Sequence, residues 1–184
     1  MNTKLMLLSG AAALALAAPA RADLIVNGGF ETGDFTGWTT GANSFPEYIV
    51  TSPVNSGNYA AQIAGYSRNP DTLSQTVATT AGEAYTLSFA RFISNGTPTT
   101  SLVVDWDGAP VYSELDTGPY NVYQDLSVNV TGTGSDTLEF ITANDPAYTY
   151  LDDVSLTPTP EPAPMLAGLL VGGLGLLARR FRRR

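Results

Sequence analysis

The chain of 184 residues contains neither cysteine nor histidine. The lack of cysteine excludes disulfides and thiolate nucleophiles, and the lack of both residue types excludes zinc sites built from them. A Ser-His-Asp catalytic triad is excluded for the same reason. A domain without disulfides must be stabilised by its hydrophobic core, to which a hard cation held by oxygen ligands could add.

Positive charge is also scarce, and most of it lies at the two ends of the chain. Of 9 basic and 17 acidic residues in total, residues 23–157 contain only Arg68 and Arg91 as basic residues but 16 acidic ones, a net charge of −14. A surface of this charge repels nucleic acid and anionic lipid head groups. We therefore expect no nucleic-acid partner, whereas a cation or a neutral ligand such as a glycan suits the domain.

The first 22 residues have the composition of a secretory signal peptide. Lys4 precedes an apolar run from Leu5 to Ala18, and Ala20-Arg21-Ala22 has the small-x-small form of a cleavage site. We predict a cleaved signal peptide over residues 1–22, with an uncleaved membrane anchor as the alternative.

The C-terminal end joins a Pro-rich spacer (residues 158–164), an uncharged apolar run (165–178) and an Arg-rich end (179–184). Proline has a fixed φ and no N–H, so the spacer is predicted to be extended and outside any sheet. The apolar run beside arginines predicts a single transmembrane helix with its basic end in the cytoplasm. The run is short, about 21 Å against a hydrocarbon core of about 30 Å, and a buried core helix is the alternative.

The order of these three elements resembles the PEP-CTERM sorting signal, whose motif here is Pro160-Glu161-Pro162. The resemblance implies export across the inner membrane of a bacterium that makes exopolysaccharide. It also implies recognition by an exosortase, a membrane transpeptidase, and removal of the tail near the motif. The expected location is therefore an inner-membrane intermediate, followed by the cell surface or the extracellular matrix.

Residues 23–157 are predicted to form one all-β domain. Short runs alternate with period two and are separated by Gly, Asn, Asp, Pro and Thr, with no helical periodicity. The predicted strands are Leu24–Asn27, Gly37–Thr40, Tyr48–Thr51, Ala60–Ala64, Thr72–Thr79, Ala84–Ser94, Leu102–Trp106, Val111–Leu115, Val122–Val130, Thr137–Thr142 and Tyr148–Leu156. So many short antiparallel strands indicate a two-sheet sandwich of the jelly-roll type.

The two ends of this domain carry distinctive segments, from Leu24 to Trp38 and from Tyr150 to Leu156. They resemble the first and last strands of calcium-containing jelly-roll carbohydrate-binding modules. The resemblance implies a structural calcium ion with Glu31 and Asp152 as side-chain ligands, Asp153 as a further candidate, and backbone oxygens around Gly29 or Thr32. First and last strands of a sandwich are commonly neighbours, which would bring the carboxylates of these acids close together. A calcium ion with 6–8 oxygen ligands would then offset the repulsion between them. Acids that merely face water at strand ends are the alternative.

No sugar-binding residue stands out from the sequence, although exposed aromatic rings and polar side chains are the groups such sites use. Phe30 and Trp38 are expected in the core, strand parity points Tyr123 outward, and Trp106 is ambiguous. For Arg68, a structural salt bridge explains the residue as well as ligand binding does. The available candidates are Tyr59, Tyr66, Arg68, Trp106, Tyr112, Tyr120, Tyr123 and Tyr148.

The sequence thus predicts an exported, non-catalytic surface or matrix protein with a domain like a carbohydrate-binding module, linked to exopolysaccharide or biofilm. A structural or adhesive protein that binds no sugar is the alternative. A small glycoside hydrolase would need a carboxylate pair, for which Asp105/Asp107 and Asp152/Asp153 are candidates. Adjacent residues on a strand point to opposite faces, which disfavours the second pair, so no catalytic residue is predicted.

Overall fold

The computed structural model describes residues 22–41, 46–95, 100–115 and 121–160. The predicted signal peptide up to residue 21, the apolar run, the Arg-rich end and Tyr120 lie outside the described residues. So do Glu161 and Pro162 of the sorting motif, whereas Pro160 is described and exposed. No helix occurs in the described ranges, and hence none there is long and apolar enough to cross a membrane.

Ten strands in the described residues form two five-stranded antiparallel sheets, which confirms the predicted all-β, two-sheet fold. Sheet A has the order β1-β4-β9-β6-β7, and sheet B the order β2-β3-β10-β5-β8. The strands are β1 (Thr39–Gly41), β2 (Tyr48–Val50), β3 (Ala60–Ile63), β4 (Asp71–Ala78), β5 (Ala84–Ile93), β6 (Ser101–Trp106), β7 (Ala109–Leu115), β8 (Tyr123–Thr131), β9 (Ser135–Ala143) and β10 (Thr149–Pro158).

The core lies between the two sheets and is built from alternate residues of each strand. Leu87 and Phe89 of β5 face Leu138 and Phe140 of β9, and all four are at most 2% exposed. The rings of Phe89 and Phe140 meet edge to face with centroids 5.3 Å apart. Burying one such side chain stabilises the fold by about 1.5–3 kcal/mol, which is how a domain without disulfides remains folded.

An ion pair joins the two sheets inside the sandwich. Arg91 of β5 is 1% exposed, and its Nε and Nη2 atoms lie 2.8 and 2.9 Å from the carboxylate oxygens of Glu114 on β7. The Tyr112 hydroxyl donates to the same carboxylate at 2.8 Å. Burial, followed by this contact with Glu114, raises the pKa of Tyr112 to about 12.

The predicted strand Leu24–Asn27 is wrong, although its expected position beside the last strand is confirmed. Leu24 N–H donates to Leu156 O, and Val154 N–H donates to Gly28 O, both at 3.0 Å. The segment leaves the extended conformation because Asn27 has a φ of 53°. It therefore runs along β10 as an irregular segment and not as a strand.

The prediction that the Pro-rich spacer lies outside any sheet is also wrong for its first residue. Pro158 is the last residue of β10 and lies opposite Tyr85. Hydrogen-bonded and non-hydrogen-bonded pairs alternate along two antiparallel strands. Because Thr159 N–H donates to Ala84 O at 2.8 Å, the neighbouring pair of Pro158 and Tyr85 is a non-hydrogen-bonded one, and the missing N–H of Pro158 removes no hydrogen bond between the strands.

Candidate functional site

The N-terminal loop is organised around Asn27. Its side-chain amide donates to the backbone oxygens of Asp34 and Thr36, and its backbone oxygen accepts a hydrogen bond from the Trp38 indole at 3.1 Å. Phe30, with a φ of 57° and no exposed surface, packs on Trp38 at a ring-centroid distance of 5.7 Å. Phe30 and Trp38 are thus core residues, as predicted. The same loop turns Glu31 outward.

Glu31, the first predicted calcium ligand, holds the loop that precedes β3. Its Oε1 accepts hydrogen bonds from the backbone N–H groups of Asn58 and Tyr59 at 2.8 and 3.0 Å, and its Oε2 accepts one from the Asn58 amide. The two backbone hydrogen bonds hold the pKa of Glu31 below its usual value. A side chain at Gly57 would overlap this carboxylate.

Asp152, the second predicted ligand, lies on the outer face of sheet B at a bulge in β10 and has no exposed surface. Its Oδ2 accepts hydrogen bonds from the backbone N–H groups of Asn55 and Ser56 at 2.8 and 3.2 Å, and its Oδ1 accepts one from Asp153 N–H. Burial nevertheless raises the pKa of Asp152, because the charged form is desolvated and no arginine is hydrogen-bonded to it in the described residues.

Asp153 points to the same loop as Asp152, contrary to the parity argument. Its carboxylate accepts hydrogen bonds from the Asn55 amide at 2.8 Å and the Ser56 hydroxyl at 2.6 Å. The reason is the bulge, where Asp153 has a φ of 49°. A bulge removes the strict alternation of side chains, so two consecutive acids can share one side of a strand.

Glu31 and the Asp152/Asp153 pair hold the two ends of one loop, residues 55–59, and Gly29 lies between them. A Cβ atom at Gly29 would lie 3.7 Å from Glu31 Cγ and 3.8 Å from an oxygen of each aspartate. Such oxygen donors suit a hard cation such as calcium. In the described part of the chain, however, no group of three or more acidic side chains is close enough to hold a metal ion. A calcium ion here would therefore need backbone carbonyls as ligands too.

The other proposed carboxylate pair does not form a catalytic cleft in the described residues. Asp105 lies on the outer face of sheet A opposite Glu139. Asp107 is a turn residue with a φ of 53°, and its carboxylate accepts the Thr137 N–H at 2.8 Å. Asp107 therefore joins the β6–β7 turn to β9, and its positive φ is one that aspartate tolerates in turns.

Three of the sugar-site candidates face the core. Trp106 is 6% exposed and donates to Thr131 O at 3.0 Å, which resolves its ambiguous position. Tyr112 is tied to Glu114, and Tyr59 packs against the core from the end of the loop that Glu31 holds. The Trp106 ring is thus buried, and the Tyr59 and Tyr112 rings are only partly exposed. Tyr123 points outward as predicted.

The outer face of sheet B carries a row of side chains that crosses all five strands, which we call the aromatic row. In register across the sheet it consists of Tyr48, Gln62, Tyr150, Phe92 and Tyr123. The Phe92 ring lies 5.4 Å from that of Tyr150 and 5.3 Å from that of Tyr123. The Tyr123 hydroxyl donates to Pro53 O, so this end of the row is covered by the loop after β2. Burial, then the charge of Asp152, raises the pKa of Tyr123.

The other end of the row is open, and sequence reasoning missed it. Tyr48 is 53% exposed on the edge strand β2, and Tyr148, whose ring lies 6.4 Å from that of Tyr150, is 40% exposed. Of these residues only Tyr148 and Tyr123 were candidates from the sequence. The period-two pattern does place Tyr48, Phe92 and Tyr150 outward, but the sequence does not reveal that their strands align in one register.

A cleft of about 500 Å³ lies at the end of the sandwich where β3 ends and β10 begins. We call it the end cleft, and its lining residues are Tyr66, Ser67, Arg68, Asn69 and Asp145. They come from the β3–β4 and β9–β10 loops, which are joined by a hydrogen bond from Asn144 N–H to Gly65 O at 2.9 Å. Residues 66–69 form a tight turn closed by Asn69 N–H on Tyr66 O.

The outer face of sheet A is polar by comparison. Its outward positions include Thr72, Ser74 and Thr76 on β4 and Thr137 and Glu139 on β9. Within the described strands, no aromatic side chain points from this face. Its hydroxyl groups could bond to sugar hydroxyls, but it offers no ring on which a sugar could stack.

Comparison with known proteins agrees with this architecture. Residues 22–141 match the family model of the carbohydrate binding domain, CBM_4_9, which covers more than half of the chain. The chain belongs to this family. The match to this carbohydrate binding domain begins at the predicted cleavage site and includes β1 to β8 and most of β9, while β10 with Asp152 follows the matched region.

One curated protein and two solved structures illustrate what the chain is similar to. Exochitinase 1 of Streptomyces olivaceoviridis is 37% identical over 117 residues, which are 60% of this chain but only 19% of that protein. The solved structure of TmCBM61 in complex with β-1,4-galactotriose has a TM-score of 0.59 at 19% identity and covers 75% of this chain and 99% of its own. A Stig cyclase from Fischerella sp. TAU also has a TM-score of 0.59, at 16% identity, over 78% of this chain and 100% of its own. The last two likenesses concern the fold alone.

Proposed function

We propose that this protein is an exported, non-catalytic carbohydrate-binding protein of the cell surface or extracellular matrix. The observation that carries the proposal is the family match over residues 22–141. It is supported by TmCBM61, a similar sandwich solved with a bound galactose trimer, and by the chitinase that contains a related segment. The net charge of −14 over residues 23–157 makes a neutral glycan the ligand class, because an anionic polysaccharide would be repelled.

A hydrolase is the weaker alternative because its carboxylates are badly placed. Asp152 and Glu47 are the two described acids whose pKa is raised, as a general acid requires. Asp152 has no exposed surface and lies beneath the loop of residues 55–59, and Glu47 belongs to neither candidate carboxylate pair. A structural or adhesive role without sugar binding is favoured by one observation, the Thr- and Ser-rich outer face of sheet A.

Affinity electrophoresis of the full-length protein in mild detergent tests the proposal. The gels would contain soluble β-1,4-galactan, glycol chitin or xylan, with bovine serum albumin as the control for non-specific retardation. Retardation by at least one neutral polysaccharide is expected. Equal mobility in every gel would contradict carbohydrate binding and leave the structural role.

We also propose that a calcium ion stabilises the junction between the N-terminal loop and β10, with Glu31 and Asp152 as its side-chain ligands. The supporting observation is that Asp152 is buried and has a raised pKa, a condition that a bound cation would relieve. A chelator should then lower the melting temperature of the wild type, and Glu31→Ala should remove that sensitivity. An unchanged wild-type melting temperature after chelation would exclude the site.

The tail is proposed to be an exosortase signal, on the order of its Pro-Glu-Pro motif, apolar run and arginines. Replacing Pro160, Glu161 and Pro162 with alanine should leave the tail attached and the protein in the inner membrane. The mass of the mature protein and its delivery to the surface report this. If both stay as in the wild type, the tail is not read as a sorting signal.

A further inference from the structure

The exposed aromatic side chains of the described residues are not scattered over the sandwich. The three most exposed are Tyr48, Tyr66 and Tyr148, at 53%, 45% and 40%. All three lie at the end of the sandwich where β3 ends and β10 begins, since Tyr48 lies opposite Gln62 and Thr149 lies opposite Ile63. A monomeric domain gains nothing in stability from rings left in water, so their grouping at one end requires another explanation.

The polar groups beside these rings are those that bind sugar hydroxyls. Arg68 is the exposed one of the two basic residues between residues 23 and 157, because Arg91 is buried between the sheets. Together with Asn69 and Asp145 it lines the end cleft, so hydrogen-bond donors and acceptors line the same cleft as Tyr66. Flat apolar rings combined with a few convergent polar groups are the composition of a carbohydrate site.

Tyr148 connects the end cleft to the aromatic row. It follows the cleft residue Asp145 by three positions, and its ring packs against that of Tyr150. Its backbone is fixed, because Ser94 N–H donates to Tyr148 O and Tyr148 N–H donates to Ser94 Oγ, both at 3.0 Å. A ring on a fixed backbone is pre-organised and loses little freedom on binding.

We propose that the end cleft, Tyr148 and Tyr48 together form the glycan-binding surface of this protein, and that the outer face of sheet A does not. The inference rests on the proposed carbohydrate-binding function and specifies its site. The occupant is a neutral glycan chain, since the surface belongs to a domain with a net charge of −14. Tyr66 provides the ring on which one sugar stacks, and Arg68 bonds to its hydroxyls.

The spacing of the rings indicates a chain of several sugars. Tyr48 lies in register with Tyr150, two strands away across the sheet, and Tyr148 precedes Tyr150 by two residues along the chain. At standard strand spacing this corresponds to roughly 12 Å between the Cα atoms of Tyr48 and Tyr148. One sugar ring cannot contact both. A trisaccharide or longer oligosaccharide should therefore bind more tightly than a monosaccharide of the same type.

The test is a calorimetric titration of the full-length protein, in mild detergent, with an oligosaccharide of the polysaccharide that retards it. The variants are Tyr66→Ala, Tyr148→Ala and Arg68→Ala. The matched controls are Leu115→Ala, which removes an apolar side chain that is 64% exposed on sheet A, and Glu139→Ala. We expect each tyrosine variant to weaken binding about tenfold, while both controls keep wild-type affinity.

The opposite pattern, loss in the controls and none in the tyrosine variants, would overturn this site and leave the carbohydrate-binding function intact. Absence of binding by the wild type would instead overturn the function itself. Tyr66→Phe and Tyr148→Phe should keep most of the affinity, since they keep the rings. If Tyr148→Ala unfolds the domain, Tyr66→Ala, whose residue lies on an exposed turn, tests by itself whether this surface binds the glycan.

Discussion

Among single residues, Asp152 has a buried carboxylate whose charge affects the stability of the fold. A carboxylate with no exposed surface is stabilised by three backbone N–H groups and yet has a raised pKa, because burial outweighs them. Its neighbour Asp153 adds a second negative charge at the same loop. Charge at this position therefore lowers stability at neutral pH unless a cation binds.

Without calcium, the wild type should gain stability relative to Asp152→Asn as the pH falls from 7 towards 4. A carboxyl group whose pKa is raised on folding takes up a proton more readily in the folded state, so its contribution is fully present at low pH and is lost as the pH rises through the folded pKa. Melting temperatures of the two proteins in a chelator, across this pH range, measure the difference. A difference that does not change with pH would contradict the raised pKa.

Gly28 is a second single-residue constraint, because it lies where the N-terminal segment touches the bulge of β10. A Cβ atom there would overlap the carbonyl oxygen of Val154, which is backbone and cannot move aside, whereas a Cβ at Gly29 meets only ordinary contacts. We expect Gly28→Ala to lower the free energy of unfolding by about 1–3 kcal/mol and Gly29→Ala to change it little. Urea titrations of both variants measure this, and equal effects would contradict the close approach at Gly28.

At the scale of the elements, period-two patterns located the strands well. They placed β5 and β6 within a residue of their observed bounds. They failed where backbone geometry departs from the extended form. Asn27 and Asp153 both have positive φ values, which ended the predicted first strand and put two adjacent acids on one side. Hydrophobic pattern carries no signal for such local turns.

The calcium ligands illustrate the same limit. The sequence placed Glu31 and Asp152 on neighbouring segments, and the structure does bring them to the two ends of one loop. The residues that donate hydrogen bonds to them, Asn55, Ser56 and Asn58, could not be predicted. They lie in the loop between β2 and β3, which is distant in sequence from Asp152 and reaches it only in the folded chain. Whether an ion binds there stays a prediction.

The ion pair between β5 and β7 leads to a prediction about how the two sheets are joined. Removing one partner, as in Glu114→Leu, takes the Glu114 carboxylate away from the buried charge of Arg91 and should cost about 3–5 kcal/mol of the free energy of unfolding. The double variant Arg91→Met/Glu114→Leu should cost much less, since an apolar pair needs no compensating charge. Chemical denaturation of the two single variants and the double variant measures the coupling, and strictly additive losses would contradict it.

At the scale of the whole molecule, composition and motifs predicted different things. The many short period-two runs predicted an all-β domain, the surplus of acids favoured a cation or a neutral ligand, and the two end segments carried the resemblance to carbohydrate-binding modules; the fold class and the family agree with the first and the last. The order of strands in each sheet could not be predicted, since it depends on long-range pairing. For that reason the sequence did not reveal the aromatic row, whose members come from all five strands of sheet B.

The measurement that tests the central claim most directly is calorimetric titration of the wild-type protein with a neutral oligosaccharide at 0.15 M and about 1 M salt, since the shorter Debye length at high salt screens charge. We predict saturable binding with nearly the same affinity at both salt concentrations, because the ligand carries no charge. Absence of heat with every neutral oligosaccharide, or binding that occurs only with an anionic polymer and disappears at high salt, would contradict the assignment of a neutral-glycan-binding function.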